Sequence, residues 1–372
     1  MLALAAVFAG CSAAQRDHPL DASTGPHDSG GEASDAGHDS GPDHDASGRS
    51  DASGSSLDAD GPSDAAPEAG PEPGDRCGEA AAYPFPLPAL EARTASPVGS
   101  ESFRFIEGPV WLADQGVLLF SDMDFSSDDS QGPLSRIIRL HPPASFEVWV
   151  ESSGSNGLAL APSGDVLAAT HDNQGLSVFD KSSQARATLS VKTSGKRLNS
   201  PNDLTVRKDG VVYLTDPDWQ LGRRNSETGV TGVYRVGPPL REGGDNEAIL
   251  LDDSLDQPNG IALSPDETTL YVGSSGAKIW KYRVHPDGSI SDRAEFADTG
   301  ASDGMTVDCA GNVYVTSGTV EVFSPSGEAL GEIKVPKGPT NVAFGGSDRK
   351  TLYITADDTL YWIKLNVPGY PY

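Results

Sequence analysis

Six polar residues head short apolar runs along this 372-residue chain: Glu107, Asn156, Asn202, Asn259, Asp303 and Asn341. All six carry oxygen donors, and none carries sulfur or imidazole, which suits a hard cation such as calcium or magnesium. Two carboxylates brought together without a cation are costly to ionise, so Glu107 and Asp303 on one site ask for a divalent ion. Such an ion, held by those two carboxylates and by the neutral oxygens of Asn259 and Asn202, keeps open positions that polarise an ester carbonyl and orient water. A carboxylate left beside that water, Asp303 in this reading, serves as general base, a contribution of about 10²- to 10⁴-fold.

Residues this far apart meet only if a repeated element carries each to the same place. The stretch 255–273 shows the unit: Asn259-Gly260 opens it, Ile261-Ala262-Leu263 follows, a Ser-Pro-Asp-Glu turn reverses the chain, and Leu270-Tyr271-Val272 runs back. That pattern predicts two short strands around a turn. The leading residues are separated by 49, 46, 57, 44 and 38 positions, close to the roughly 40 to 50 residues of a four-stranded propeller blade. The expectation is an all-β, six-bladed β-propeller over residues 77–372, whose innermost strands bring one phase of every repeat to a common axis. Asn-Gly and Asp-Gly are also preferred hairpin turns. Here, however, each pair precedes its strands, while a separate Pro, Asp, Gly or Ser turn lies between them.

At these residues a family resemblance becomes specific. Glu107-Gly108-Pro109-Val110-Trp111, the 197–204 segment with Tyr213-Leu214-Thr215-Asp216-Pro217, Pro258-Asn259-Gly260 and Asp303-Gly304-Met305 resemble the SMP-30, gluconolactonase and related calcium-dependent lactonase family, from about Phe103 to Leu365. The resemblance implies a hydrolase that opens a lactone, a sugar lactone such as gluconolactone foremost. Glu107, Asn259 and Asp303 match its metal-binding positions, and Asn202 matches an asparagine that touches metal or substrate. Asp303 also matches the proposed proton-transfer residue. The implied cofactor is Ca2+ or another divalent cation such as Mg2+, Mn2+ or Zn2+. The SMP-30 branch carries an arginine two residues before the asparagine matched by Asn202. This chain has Ser200 or Pro201 there, depending on alignment, which tells against the sugar-lactone specificity of that branch. Two other readings are a propeller hydrolase of another ester or phosphoester and a noncatalytic, membrane-tethered binding propeller. A scaffold needs no carboxylates in its channel.

Further substrate-binding candidates are Asn156 and Asn202 on the ring, Asp216 and Trp219 after the second strand of the third repeat, and His171 near a strand end of the second. Asp122 and Met123 stand in the corresponding place in the first repeat. Asp216 and Asp122 read equally well as strand-end caps, and His171 as a satisfied structural histidine. With His141 and His285 each before a proline, the histidine and cysteine inventory does not assemble a zinc site or a Cys-His nucleophilic pair.

The chain's formal net charge is −27, and residues 12–76 hold 15 acidic and 3 basic side chains. With almost no large apolar residue, that segment reads as a disordered acidic tether. The histidines within it belong to a solvated spacer. Residues 1–11, an apolar run ending at Cys11, resemble the end of a lipoprotein signal peptide that is short and lacks a preceding basic residue, as a truncated start would be. The expected location is exported and lipid-anchored at the cell envelope, or alternatively periplasmic or secreted, with membrane contact only through Cys11. Cys77 and Cys309 remain as an even pair able to form a disulfide. Either residues 80–100 or Thr359–Leu365 supplies the strand that closes the ring. The expected partner is a small lactone or ester, and the acidic balance argues against nucleic acid.

Overall fold

The computed structural model describes Cys77, residues 96–126 and residues 130–371. The apolar segment with Cys11, the 12–76 tether and the proline-rich stretch 84–90 lie outside the described residues. Every regular element among the described residues is a β-strand.

The strands group into six antiparallel meanders of four. Five run over residues 106–150, 155–193, 204–252, 258–298 and 305–333. The sixth runs over 339–364, and its outer strand, Ser96–Pro97, comes from the opposite end of the chain and pairs with Thr359–Lys364. Both candidate closing segments therefore take part, side by side. Pro97 stands on the outer edge, where its missing N–H deprives no ladder of a bond.

Burial explains why the repeats read as they do. The innermost strands, such as Ile106–Leu112 and Pro258–Leu263, are buried along almost their whole length. Flanked on both faces by neighbouring meanders, they are apolar beyond their polar heads, as Pro109-Val110-Trp111-Leu112 and Ile261-Ala262-Leu263 show. The outer strands Arg186–Thr193 and Asp245–Asp252 mix exposed and buried positions, as half-solvated strands do. These two outer strands also pair in parallel, Asn246 opposite Val191, which joins the second and third meanders into one sheet.

The core is divided among six apolar clusters, each shared by consecutive meanders. One of them joins last to first, with Ile106, Leu118 and Phe120 packed on Ala343, Tyr353 and Leu360. Each innermost strand touches the innermost strand on either side, and Ile106–Leu112 touches both Ser155–Leu160 and Pro339–Gly345. The result is a closed propeller whose six inner strands surround one axis. Cys77 and Cys309 are joined by a disulfide, with Cα atoms 5.4 Å apart. It fixes the start of the domain to the fifth meander.

Candidate active site

The leading residue of each repeat reaches the axis by a local device. Four inner strands lose register at their heads, between Glu107 and Val110, Ser155 and Leu158, Pro258 and Ile261, and Pro339 and Asn341. A bulge re-aims the side chain it carries. In the other two repeats regular pairing begins only at Leu204 and Met305, just after Asn202-Asp203 and Asp303-Gly304.

The glycine that follows four of the leading residues has a steric cause. A Cβ on Gly108 would lie 2.3 Å from the Asn156 carbonyl oxygen, and one on Gly157 2.5 Å from Asp203 Oδ1. On Gly260 it would stand 2.1 Å from the Asp303 carbonyl oxygen, and on Gly304 1.9 Å from Asn341 Cγ. Of these four, only Gly108 has a positive φ, so turn chemistry does not explain Gly157, Gly260 or Gly304. These glycines let each inner strand close on the next. Hydrogen bonds follow the same path: Gly157 N donates to Asn202 O at 2.7 Å and Gly304 N to Thr340 O at 2.7 Å. Thr340 Oγ1 then donates to Ile106 O at 2.7 Å, joining the sixth repeat to the first. Gly260→Ala is expected to lower stability by about 1–3 kcal/mol, because a backbone carbonyl must move to admit the methyl group. The midpoint of urea unfolding reads this directly, and an unchanged midpoint would contradict the close approach.

Glu107, Asn259 and Asp303 meet. Asp303 takes hydrogen bonds from the Asn259 amide and from Glu107. Burial first, and then the charges of Asp303 and Asp203, hold the Glu107 carboxyl well above the usual carboxylate range. Burial likewise raises Asp303, opposed by those two hydrogen bonds. Two carboxyl groups in contact cannot both ionise cheaply, so without a cation this pair keeps a proton.

Asp203 completes the cluster and is not among the residues singled out in the sequence. Its side chain accepts Leu204 N at 2.9 Å, Ile261 N and, at 3.4 Å, Asn341 Nδ2. Burial pushes it up to about 7. One signal is present: in the third repeat Asp203 occupies the slot that is glycine in four others.

The amides face the axis in two ways. Val342 N–H can only donate, so its partner at 2.8 Å fixes Asn341 Oδ1. The Asn341 NH2 is thereby turned to Asp203 and Glu107. Asn341 is a donor here, although repeat phase alone places it with the oxygen ligands. Asn259 Oδ1 and Asn156 Oδ1, in contrast, are buried acceptors without a hydrogen-bond partner. An orphaned buried oxygen is costly unless something electropositive meets it. Asn202 is buried on the same ring, and its carbonyl receives Gly157 N. Among the described residues no three His, Cys, Asp or Glu side chains form a metal cluster by themselves. A cation here would therefore be held by the Glu107–Asp303 pair supplemented by amide oxygens.

Other candidates hold loops in place. Asp216 is fully buried and commits both oxygens to backbone amides, Asn199 N and Ser200 N, each at 2.8 Å. Burial still raises it to about 8. It anchors the segment leading to Asn202 rather than facing a ligand. His171 is also fully buried; its Nε2 donates to Pro133 O at 2.8 Å, and burial drives it down to about 4, so the ring is neutral at pH 7. It ties the first meander's 130–134 segment to the second. Arg224, absent from the sequence reading, reinforces that joint by donating to the carbonyl oxygens of Leu221, Asp172, Gln131, His171 and Gln220. Trp219 lies half-buried in the same loop of the third meander. Asp122 accepts Arg104 N at 2.7 Å and pairs with Arg136 at 2.8 Å, fixing the chain just ahead of Glu107.

Comparison with known proteins agrees with this architecture. A gluconolactonase of Zymomonas mobilis is 31% identical over 314 residues, covering 75% of this chain and 84% of that protein. A pentonolactonase of Haloferax volcanii is 27% identical and covers 70% of this chain and 84% of its own length. Among solved structures, a gluconolactonase of Xanthomonas campestris superposes with a TM-score of 0.64 at 30% identity, over 75% of this chain and 93% of that one. The model of the SMP-30/Gluconolactonase/LRE-like region matches residues 105–358. With that match spanning most of the chain and the axial ring formed by the residues that suggested it, the protein belongs to the SMP-30/Gluconolactonase/LRE-like family.

Proposed function

We propose that the protein is a hydrolase that opens lactones, with the axial ring as its active site and a divalent cation, calcium foremost, as its cofactor. The observation that carries this reading is the pair of orphaned buried oxygens, Asn259 Oδ1 and Asn156 Oδ1, on the ring that holds the proton-sharing Glu107–Asp303 pair. Glu107, Asp303 and Asn259 would hold the cation, with Asn202 beside them. The bound cation supplies a Lewis acid that polarises the lactone carbonyl.

The chain's own residues do the rest. Asp303, partly exposed on the ring, would take a proton from water and return it to the ring alkoxide as the lactone opens. Asn341 donates to Glu107 and so holds its carboxylate in place. The named activities of the relatives support a sugar lactone, gluconolactone foremost, as substrate. Of Ser200 and Pro201, one of which stands where a branch of the family has an arginine, neither carries a cation, and Ser200 is buried and hydrogen-bonded to Pro217 O. Sugar recognition in this chain therefore rests on other groups. The Cys77–Cys309 disulfide supports an exported, oxidising location.

A panel of aldonolactones, aromatic esters and phosphotriesters, assayed with and without chelator, tests the reading. Aldonolactones should be the best substrates, and chelation should remove their turnover. Calcium should restore it. Hydrolysis that survives chelation would overturn the cation site. Preference for a phosphotriester would move the protein to another substrate class, and no turnover of any compound would leave a binding propeller.

A further inference from the structure

The axial ring contains a third carboxylate that the lactonase reading leaves without a task. Asp203 reaches across the axis: it sits in the third repeat, accepts from Ile261 N in the fourth and Asn341 Nδ2 in the sixth, and lies against Gly157 of the second. Bonds to Leu204 N and Ile261 N hold the Asp203 carboxylate in place. Among the described residues no three acidic, His or Cys side chains form a ligand cluster, and because the Asp203 carboxylate is already engaged by Leu204 N, Ile261 N and Asn341 Nδ2, the cation is assigned to the Glu107–Asp303 pair and not to Asp203. Two amide oxygens on the same ring, those of Asn156 (2% exposed) and Asn259 (3% exposed), lack any partner and independently call for a cation.

We propose that Asp203 is a positioning residue that strengthens divalent-cation binding from outside the ligand set, through its charge and through Asn341, whose amide it turns toward Glu107. This rests on the ring being a cation site. A carboxylate in the same low-dielectric volume attracts a doubly charged ion twice as strongly as a singly charged one, and it does so without displacing water or substrate from the open positions. Its hydrogen bond to Asn341 acts in the same direction. With Asn341 Oδ1 tied to Val342 N, the two amide hydrogens bridge Asp203 and Glu107 and keep those carboxylates apart in a defined geometry.

The test uses the full chain, stripped of metal and titrated with calcium chloride in a calorimeter. Wild type, Asp203→Asn and Glu107→Gln are compared, with thermal unfolding of each in chelator. Asparagine keeps the size of Asp203 and can still accept Leu204 N. The expected result is a Kd for calcium raised at least about tenfold in Asp203→Asn, a loss of about 1.4 kcal/mol or more, with a chelator Tm no lower than wild type. A Kd within about twofold of wild type, while Glu107→Gln abolishes binding, would overturn the inference and leave the cation site intact. Weakened binding accompanied by a chelator Tm several degrees below wild type would also overturn it, by assigning the effect to packing. Failure of wild type to bind calcium would instead sink the calcium site proposed for the ring.

Discussion

Asp303→Asn is expected to lower kcat/KM for lactone hydrolysis by about a thousandfold or more, with no fall in the urea midpoint measured in chelator. Two losses combine in this one change. Asparagine cannot accept a proton from water, and removing a general base typically costs about 10²- to 10⁴-fold. It also removes one of the two carboxylates whose charge would hold the cation, leaving Glu107 with the neutral amides. The fold should tolerate it, because an asparagine in this place keeps the size of the side chain and can still accept from the Asn259 amide. Initial rates in a pH-stat measure the effect. Glu107→Gln separates the two losses: it should weaken cation binding and recover part of its rate at high calcium, whereas Asp303→Asn should recover little. Activity of Asp303→Asn within about tenfold of wild type would remove Asp303 from the chemistry.

The second large effect is a pH-dependent stability that the cation abolishes. In chelator, the protein should lose stability as pH rises from about 6.5 to 8, and calcium should restore it, with a larger gain in Tm at pH 8 than at pH 5. Glu107, Asp203 and Asp303 are all raised in the folded chain, Asp203 to about 7. Unfolded carboxyls titrate near 4. Between those limits the folded chain binds more protons than the unfolded chain, so stability is full below about pH 4 and falls as pH rises through the folded values. For a group shifted to about 7 the whole loss is several kcal/mol in order of magnitude, less for Asp303, which keeps some exposure; most of it accrues below pH 7, so the ring's decline above 6.5 comes chiefly from Glu107, which is raised further.

Two other buried groups shape the curve. His171, lowered to about 4, has the opposite sign, since its neutral form favours folding increasingly up to its unfolded value near 6.5. Its titration is over above that pH, which makes 6.5 to 8 the clean window. Asp216, raised to about 8, adds to the decline, but it is occupied by Asn199 N and Ser200 N, so calcium should not relieve its share. The calcium-minus-chelator difference in Tm therefore isolates the ring. At pH 5 a cation must displace protons to bind, which is why its effect is smaller there. A difference independent of pH would contradict the shared proton on Glu107 and Asp303.

The repeat was legible in the sequence because its causes are local. An inner strand buried on both faces must be apolar beyond its polar head, and a reversal needs its own turn residues, so each of the six copies carries the same signature. Repeat phase is equally local, and it marks six leading residues; the family resemblance singles out Glu107, Asn259 and Asp303 among them. The chemical type of the ring was also legible, since oxygen donors without sulfur or imidazole limit the choice of ion.

Tertiary structure decided the rest, because each remaining question turned on what lies across a gap of a hundred or more residues. Asn259 and Asn341 share a residue type and a repeat phase. Only the N–H of Val342 turns one amide donor-first, while the other keeps its oxygen unpaired. Asp203 read as the neighbour of Asn202 until Ile261 and Asn341 met it at the axis. By position Asp216 reads equally well as a pocket residue or a strand-end cap and His171 as a pocket or a structural histidine; burial with backbone partners makes both loop anchors. The position of Gly260 and Gly304 ahead of their strands speaks against a turn role, and the next inner strand, too close for a Cβ, gives the reason they are glycine.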